Sequence, residues 1–204
     1  MNAALASLSK VQGGFASELG ELRQSMEKEL LNKANTSYTN SDYSDASKKF
    51  EQLYRVTPSD TTYLYYAAVS AVSAQDFEGA LNHYIKLDEL GYTGQVKEYF
   101  AYNVDAKKEE IFDKNTRDLY VKAGTHIKPG ERMSESKSAE ITKNIALIFV
   151  QLDRKDAAIA AIKKARANEP DNVELVLNEA NLQYKLGNTE AYKELIQEAI
   201  ELDP

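Results

Sequence analysis

The chain has no cysteine among its 204 residues. Disulfides, thiolate nucleophiles and thiolate metal sites are therefore excluded, while the redox compartment stays open. There are two histidines, His83 and His126, and neither shares a local motif with carboxylates at metal-ligand spacing. The sequence holds no Gly-rich phosphate loop and no G-x-S-x-G: "QGG" at 12–14 lacks both the spacing and the lysine. No apolar run approaches the length that spans a bilayer. A basic surplus is missing too. The net charge is -7, which argues against nucleic acid, where affinity comes from Lys and Arg on phosphates. The acidic clusters "EKEL" and "KKEEIFDK" read as solvated helix or strand faces rather than paired acid and base groups. No catalytic residue, metal site or cofactor is expected, and the chain reads as a non-enzyme. "MNAALASLSKVQGGFASELG" lacks a basic leader and is not an intact signal peptide, although a trimmed N-terminus would look the same.

What is present is an apolar fraction of 43%, enough for a sizeable core, and an internal period. Asp42-Tyr43 matches Asp76-Phe77, and Ala46, Phe50 and Leu53 match Ala80, Tyr84 and Leu87, each 34 residues on. Ala34 and Ala68 keep the same offset. A second series, Ala146, Phe149, Ala158, Ile162, Ala165 and Pro170, is followed 34 residues later by Ala180, "KLGN", Tyr192, Ile196, Ala199 and Pro204. Alanines at this spacing suit close helix crossings, and Phe50, Tyr84, Ile162 and Ile196 lie one turn beyond the small position of a second helix. Pro58, Pro170 and Pro204 stop that second helix, and Asp60 and Asp171 are candidate caps for the next one.

This pattern resembles the tetratricopeptide repeat (TPR) family, whose 34-residue unit is a pair of antiparallel helices. The resemblance implies an all-α, right-handed superhelix with repeats at 27–60, 61–94, 139–172 and 173–204, and an N-terminal extension or capping helix over 1–26. It also implies a scaffold that binds a peptide or protein segment on the concave face lined by each repeat's first helix. Residues mapped there include Asn35, Tyr38, Tyr65, Lys143, Asn181 and Tyr184. Several groove positions, Val69, Leu147 and Leu177 especially, serve equally well to pack neighbouring repeats. The carboxylate clamp of chaperone-binding members does not match: its slots hold Leu31, Asn35, Tyr66, Glu140 and Asn144, of which only Asn35 fits. His83 falls on a second helix, and His126 in a loop; exposed or partly packed histidines account for both.

Residues 95–138 break the frame. "KEYFAYNVDAKKEEIFDK" alternates, with Phe100, Tyr102 and Val104 on one side and Tyr99, Ala101 and Asn103 on the other. This predicts a β-hairpin at about 97–112, with a distorted first helix as the alternative. Asp113 and Gly124 bracket "KNTRDLYVKA" as a helix, the retained second helix of a degenerate repeat, before a loop at 125–136. Tyr99, Phe100 and Tyr102 either contact a partner or fill the space of the missing helix.

Two other readings stand beside the scaffold. Ile200 and Leu202 fall where family members pack on a further helix, which allows a homo-oligomer through the last helix or continuation of the natural chain. The array is then either a self-associating module or the TPR segment of a longer envelope or regulatory protein. The lack of eukaryotic adaptor features favours a bacterial cytoplasm or periplasm.

Overall fold

The computed structural model describes residues 16–203; the first fifteen residues of the expected N-terminal extension lie outside them. The chain divides into two compact units, one running to Tyr92 and resuming at Ser138, the other spanning Thr93–Lys137.

The first unit is helical. Its elements are α1 (Ala16–Thr39), α2 (Tyr43–Val56), α3 (Thr62–Ser73) and α4 (Phe77–Glu89), then, after the second unit, α6 (Ser138–Gln151), α7 (Lys155–Asn168), α8 (Val173–Lys185) and α9 (Thr189–Leu202). The 34-residue period is repeated in the backbone. Each helix pair turns through one left-handed residue, at Ser41, Gln75, Asp153 and Gly187. Beside it the next amide reaches back across the turn, as in Asp42 N to Ser37 O and Asp76 N to Ala71 O, both 2.9 Å. Asp42 and Asp76 then cap the second helix, accepting from Asp45 N at 3.2 Å and Gly79 N at 3.0 Å. The cap position of α3 is Thr61, without a side-chain capping bond, and Asp60, expected as the cap, sits one residue earlier and accepts from Thr62 N at 3.0 Å. At the matching place before α8 the cap is Asn172, not Asp171: its side chain accepts from Leu175 N at 3.3 Å.

The alanines of the period are the tight crossings. Ala34, Ala68, Ala146 and Ala180 are all buried. Phe50, Tyr84 and Ile162 are buried beside them, while Ile196 is partly buried against the Val176, Ala180 and Leu195 cluster. One feature departs from the expected organisation. α4 packs directly on α6, and Leu81, Tyr84 and Leu87 share one core with Ile141, Ile145 and Ile148. The Tyr84 hydroxyl accepts from Asn144 Nδ2 at 3.1 Å across this contact. The helical stack therefore runs from the second repeat to the next without a degenerate repeat between them.

The second unit is a sheet with one helix. The hairpin is present, as β1 (Lys97–Asn103) and β2 (Lys108–Phe112), so the distorted-helix alternative falls. It is followed by α5 (Lys114–Lys122), capped by Asp113 through Asn115 N and Thr116 N, both at 3.0 Å. Gly124 closes α5 in the left-handed region at φ +75°. The expected loop at 125–136 is instead largely a third strand, β3 (His126–Met133), antiparallel to β1 in the order β2-β1-β3. A bulge opposite Phe100–Tyr102 absorbs Lys128, itself left-handed, and Pro129. α5 buries none of its side chains fully and packs on all three strands, so it is the lid of a small sheet rather than the second helix of a repeat.

His126 is the pin of this unit and is buried, not exposed in a loop. Its ring stacks on Tyr120 at 4.9 Å and meets Phe112 edge-on at 5.2 Å. Nε2 lies 3.2 Å from Glu110 and Nδ1 lies 3.0 Å from the Thr125 hydroxyl. Bonds from Asn103 and His126 hold the Glu110 carboxyl below its usual range.

Candidate functional site: the first-helix face

Two cavities open on the face formed by the first helices of the pairs. The first, of 490 Å³, lies between α1 and α3. Phe50, which is buried, and the half-buried Leu31 and Val69 form its floor. Tyr38 and Tyr66 stand at its rim, 42% and 45% exposed, with Asn35 and Tyr65 completing it. The rings are held by one another: Phe50 and Tyr66 are 5.3 Å apart, Tyr65 and Tyr66 6.0 Å. The Tyr65 hydroxyl donates to Glu140 Oε1 on α6 at 2.8 Å. Burial, then Glu140, pushes the Tyr65 phenol well above its ordinary pKa, so it stays a neutral donor.

The second cavity, of 280 Å³, lies between α6 and α8 over Ala146, Leu147, Ile162 and Leu182. Its polar groups are Lys143 from α6 and Asn178, Asn181, Tyr184 and Lys185 from α8. Tyr184 is 66% exposed and its ring lies 5.3 Å from Tyr192. No carboxylate lines this cavity, and neither lysine is in an ion pair among the described residues. The two ends of the face thus differ: one is aromatic and uncharged, the other cationic and amide-rich.

The six groove residues expected from the sequence divide between these cavities, Asn35, Tyr38 and Tyr65 in one, Lys143, Asn181 and Tyr184 in the other. Tyr66 and Asn178 were not among them. Both sit one position past an expected groove position, and the doublets Tyr65-Tyr66 and Leu177-Asn178 were the signal available. Phe50, expected only as a core knob, is also the floor of a cavity.

The hairpin aromatics are used differently. Tyr99 lies under Lys97 and Arg117, 5.5 and 5.1 Å from its ring. Phe100 lies under Arg132 at 4.8 Å and over Gly130, where a Cβ would collide with the ring. Tyr102 is 37% exposed. Val96, Ile111 and Met133 line a separate cleft of 670 Å³ within the same unit. Of the histidines, His83 lies on the second helix α4, and burial lowers its pKa. Among the described residues no group of three His, Asp or Glu side chains is placed to hold a metal ion. No described helix is long and apolar enough to cross a membrane.

Among solved structures, those that align over 80% or more of this chain include MamA 41-end from Desulfovibrio magneticus RS-1 and the Arabidopsis OM64 TPR domain. The first is 11% identical, with a TM-score of 0.49 over 87% of this chain and 75% of that one. The second is 13% identical, with a TM-score of 0.43 over 80% and 98%. No curated protein is significantly similar in sequence. The tetratricopeptide repeat model matches residues 31–87 and 144–204, leaving out the sheet unit, and with more than half of its residues matched this chain belongs to the tetratricopeptide repeat family.

Proposed function

We propose that this protein is a non-catalytic scaffold that binds an extended segment of another protein along the face of α1, α3, α6 and α8. One observation carries the reading: the face gathers tyrosine, asparagine and lysine side chains over two apolar-floored cavities. Tyrosine and asparagine in such a setting supply stacking area and hydrogen bonds for a peptide backbone. Panning a random-peptide display library against the full chain, followed by NMR mapping of a selected peptide, tests it. Shifts concentrated on the four first helices support the proposal; shifts confined to 93–137 or to α9 overturn it.

A second reading, self-association through α9, is favoured by Ile200 and Leu202, which are 54% and 37% exposed. Light scattering of the parent chain against the Ile200→Lys, Leu202→Lys double variant decides it, because a monomer in both cases removes the idea.

A further inference from the structure

The aromatic end of the face carries a more specific message, which rests on the proposal that this face binds a protein segment. No charged side chain lines the α1–α3 cavity, so an ionised group entering it would lose water without gaining a partner. The charged parts of a bound segment are instead matched by Lys143 and Lys185 at the other end. What enters between α1 and α3 is an uncharged stretch.

Its backbone conformation follows from the hydrogen-bond inventory. The Tyr38 and Tyr66 hydroxyls and the Asn35 amide make no hydrogen bond to protein among the described residues. Covering them displaces water, and each lost bond has to be replaced. The matching occupant presents free carbonyls. A helix does not, because its carbonyls are bonded internally. A strand is held by a sheet edge, and this wall is helical. A polyproline II segment has no internal hydrogen bonds, lacks N–H groups at its prolines, and turns its carbonyls outward.

Aromatic-lined grooves are a recurring seat for such segments, and the exposed rings here are Tyr38 of α1 and Tyr66 of α3. The Tyr66 ring is fixed against Phe50 and Tyr65, so little side-chain freedom is lost on binding. We propose that the α1–α3 cavity recognises an uncharged, proline-bearing segment in the polyproline II conformation.

The test is fluorescence anisotropy on the full chain with three labelled synthetic peptides of equal length. The first repeats Pro-Leu-Ala, the second replaces each proline by alanine, and the third is an amphipathic helix-former. The proline peptide should bind, with little dependence on salt, and the alanine peptide should bind about tenfold more weakly or worse. Tyr38→Ala and Tyr66→Ala should each weaken the proline peptide by about tenfold, while Tyr66→Phe, which keeps the ring and loses the donor, should cost less. Both rim tyrosines are exposed, and circular dichroism of each variant checks that the fold is kept. Equal binding of proline and alanine peptides, or a preference for the helix-former, overturns the proposal. A display-selected peptide lacking proline that still shifts Tyr38 and Tyr66 resonances overturns it while leaving the scaffold reading intact; no shift on any first helix with any peptide removes both.

Discussion

Excising Thr93–Lys137 and joining Tyr92 to Ser138 through a short Gly-Ser linker should leave the helical repeats folded. Two accounts of the excised stretch differ widely in what this costs. If it supplied a helix of the array, its loss would uncover the facing sides of α4 and α6. There Leu81, Tyr84, Leu87, Ile141, Ile145 and Ile148 are each at most 5% exposed. Burial of such side chains is worth about 1.5–3 kcal/mol each, so exposing them would cost on the order of 10 kcal/mol, comparable with the whole stability of a domain. In the structure these side chains bury one another, and none of that contact is removed. The ends also meet, since Lys137 N donates to Thr93 O at 2.7 Å. Shortening a flexible connection roughly tenfold would favour the deletion by about 2 kcal/mol; the excised unit is itself ordered, so the gain is smaller. Urea unfolding followed by far-UV circular dichroism should therefore give a single cooperative transition within about 2 kcal/mol of the parent. A loss of more than about 5 kcal/mol, or a non-cooperative melt, would refute the direct stacking of α4 on α6.

Three further outcomes follow from individual residues. Gln75 holds φ +60° in the turn between α3 and α4, where Gly187 holds φ +84° in the last repeat. Gln75→Gly relieves a left-handed cost of about 1–2 kcal/mol against an entropy loss of about 0.5–1, so denaturation should show a net gain of roughly 0.5–1 kcal/mol. Arg166 bonds both Glu179, whose side chain is 6% exposed, and Glu198. Arg166→Ala strands the buried carboxylate and should cost about 3 kcal/mol in the same assay, while Arg166→Ala combined with Glu179→Leu should recover part of the loss. Burial first, and Glu27 second, pushes the Tyr63 phenol up to about 12, from 10.0. Its proton is held more tightly in the folded state, so its contribution is complete below pH 10 and lost as pH rises toward 12. Tyr65, also shifted upward, adds to the same alkaline loss. Tyr63→Phe should make stability fall less steeply across that window, and an unchanged slope would remove the assignment.

The repeats were legible because their geometry tolerates one kind of side chain at particular places. Where two helices cross closely only a small residue fits, and Ala34, Ala68, Ala146 and Ala180 recur there at 1% exposure or less. Local rules worked inside the sheet unit too: the hairpin, the Asp113 cap and the Gly124 stop are all present. What those rules do not contain is the partner. A capped segment with Leu119 and Tyr120 forms a helix whether it lies in a repeat or on a sheet, and α5 lies on a sheet. β3 was hidden for a related reason. Lys128 and Pro129 break its alternation, and its strand character comes from the open edge of β1, more than twenty residues away in sequence. The candidate site shows the same limit at atomic scale. Tyr65 and Tyr66 are adjacent and chemically identical, and composition or period treats them alike. Only the placement of α6 separates them: Glu140, 75 residues on, accepts a hydrogen bond from the Tyr65 hydroxyl, whereas the Tyr66 hydroxyl on the same cavity bonds no described protein group. Which of the two hydroxyls is left without a described protein partner is therefore set by a contact that spans the inserted unit in sequence, and it becomes readable only once α4 is seen to stack on α6.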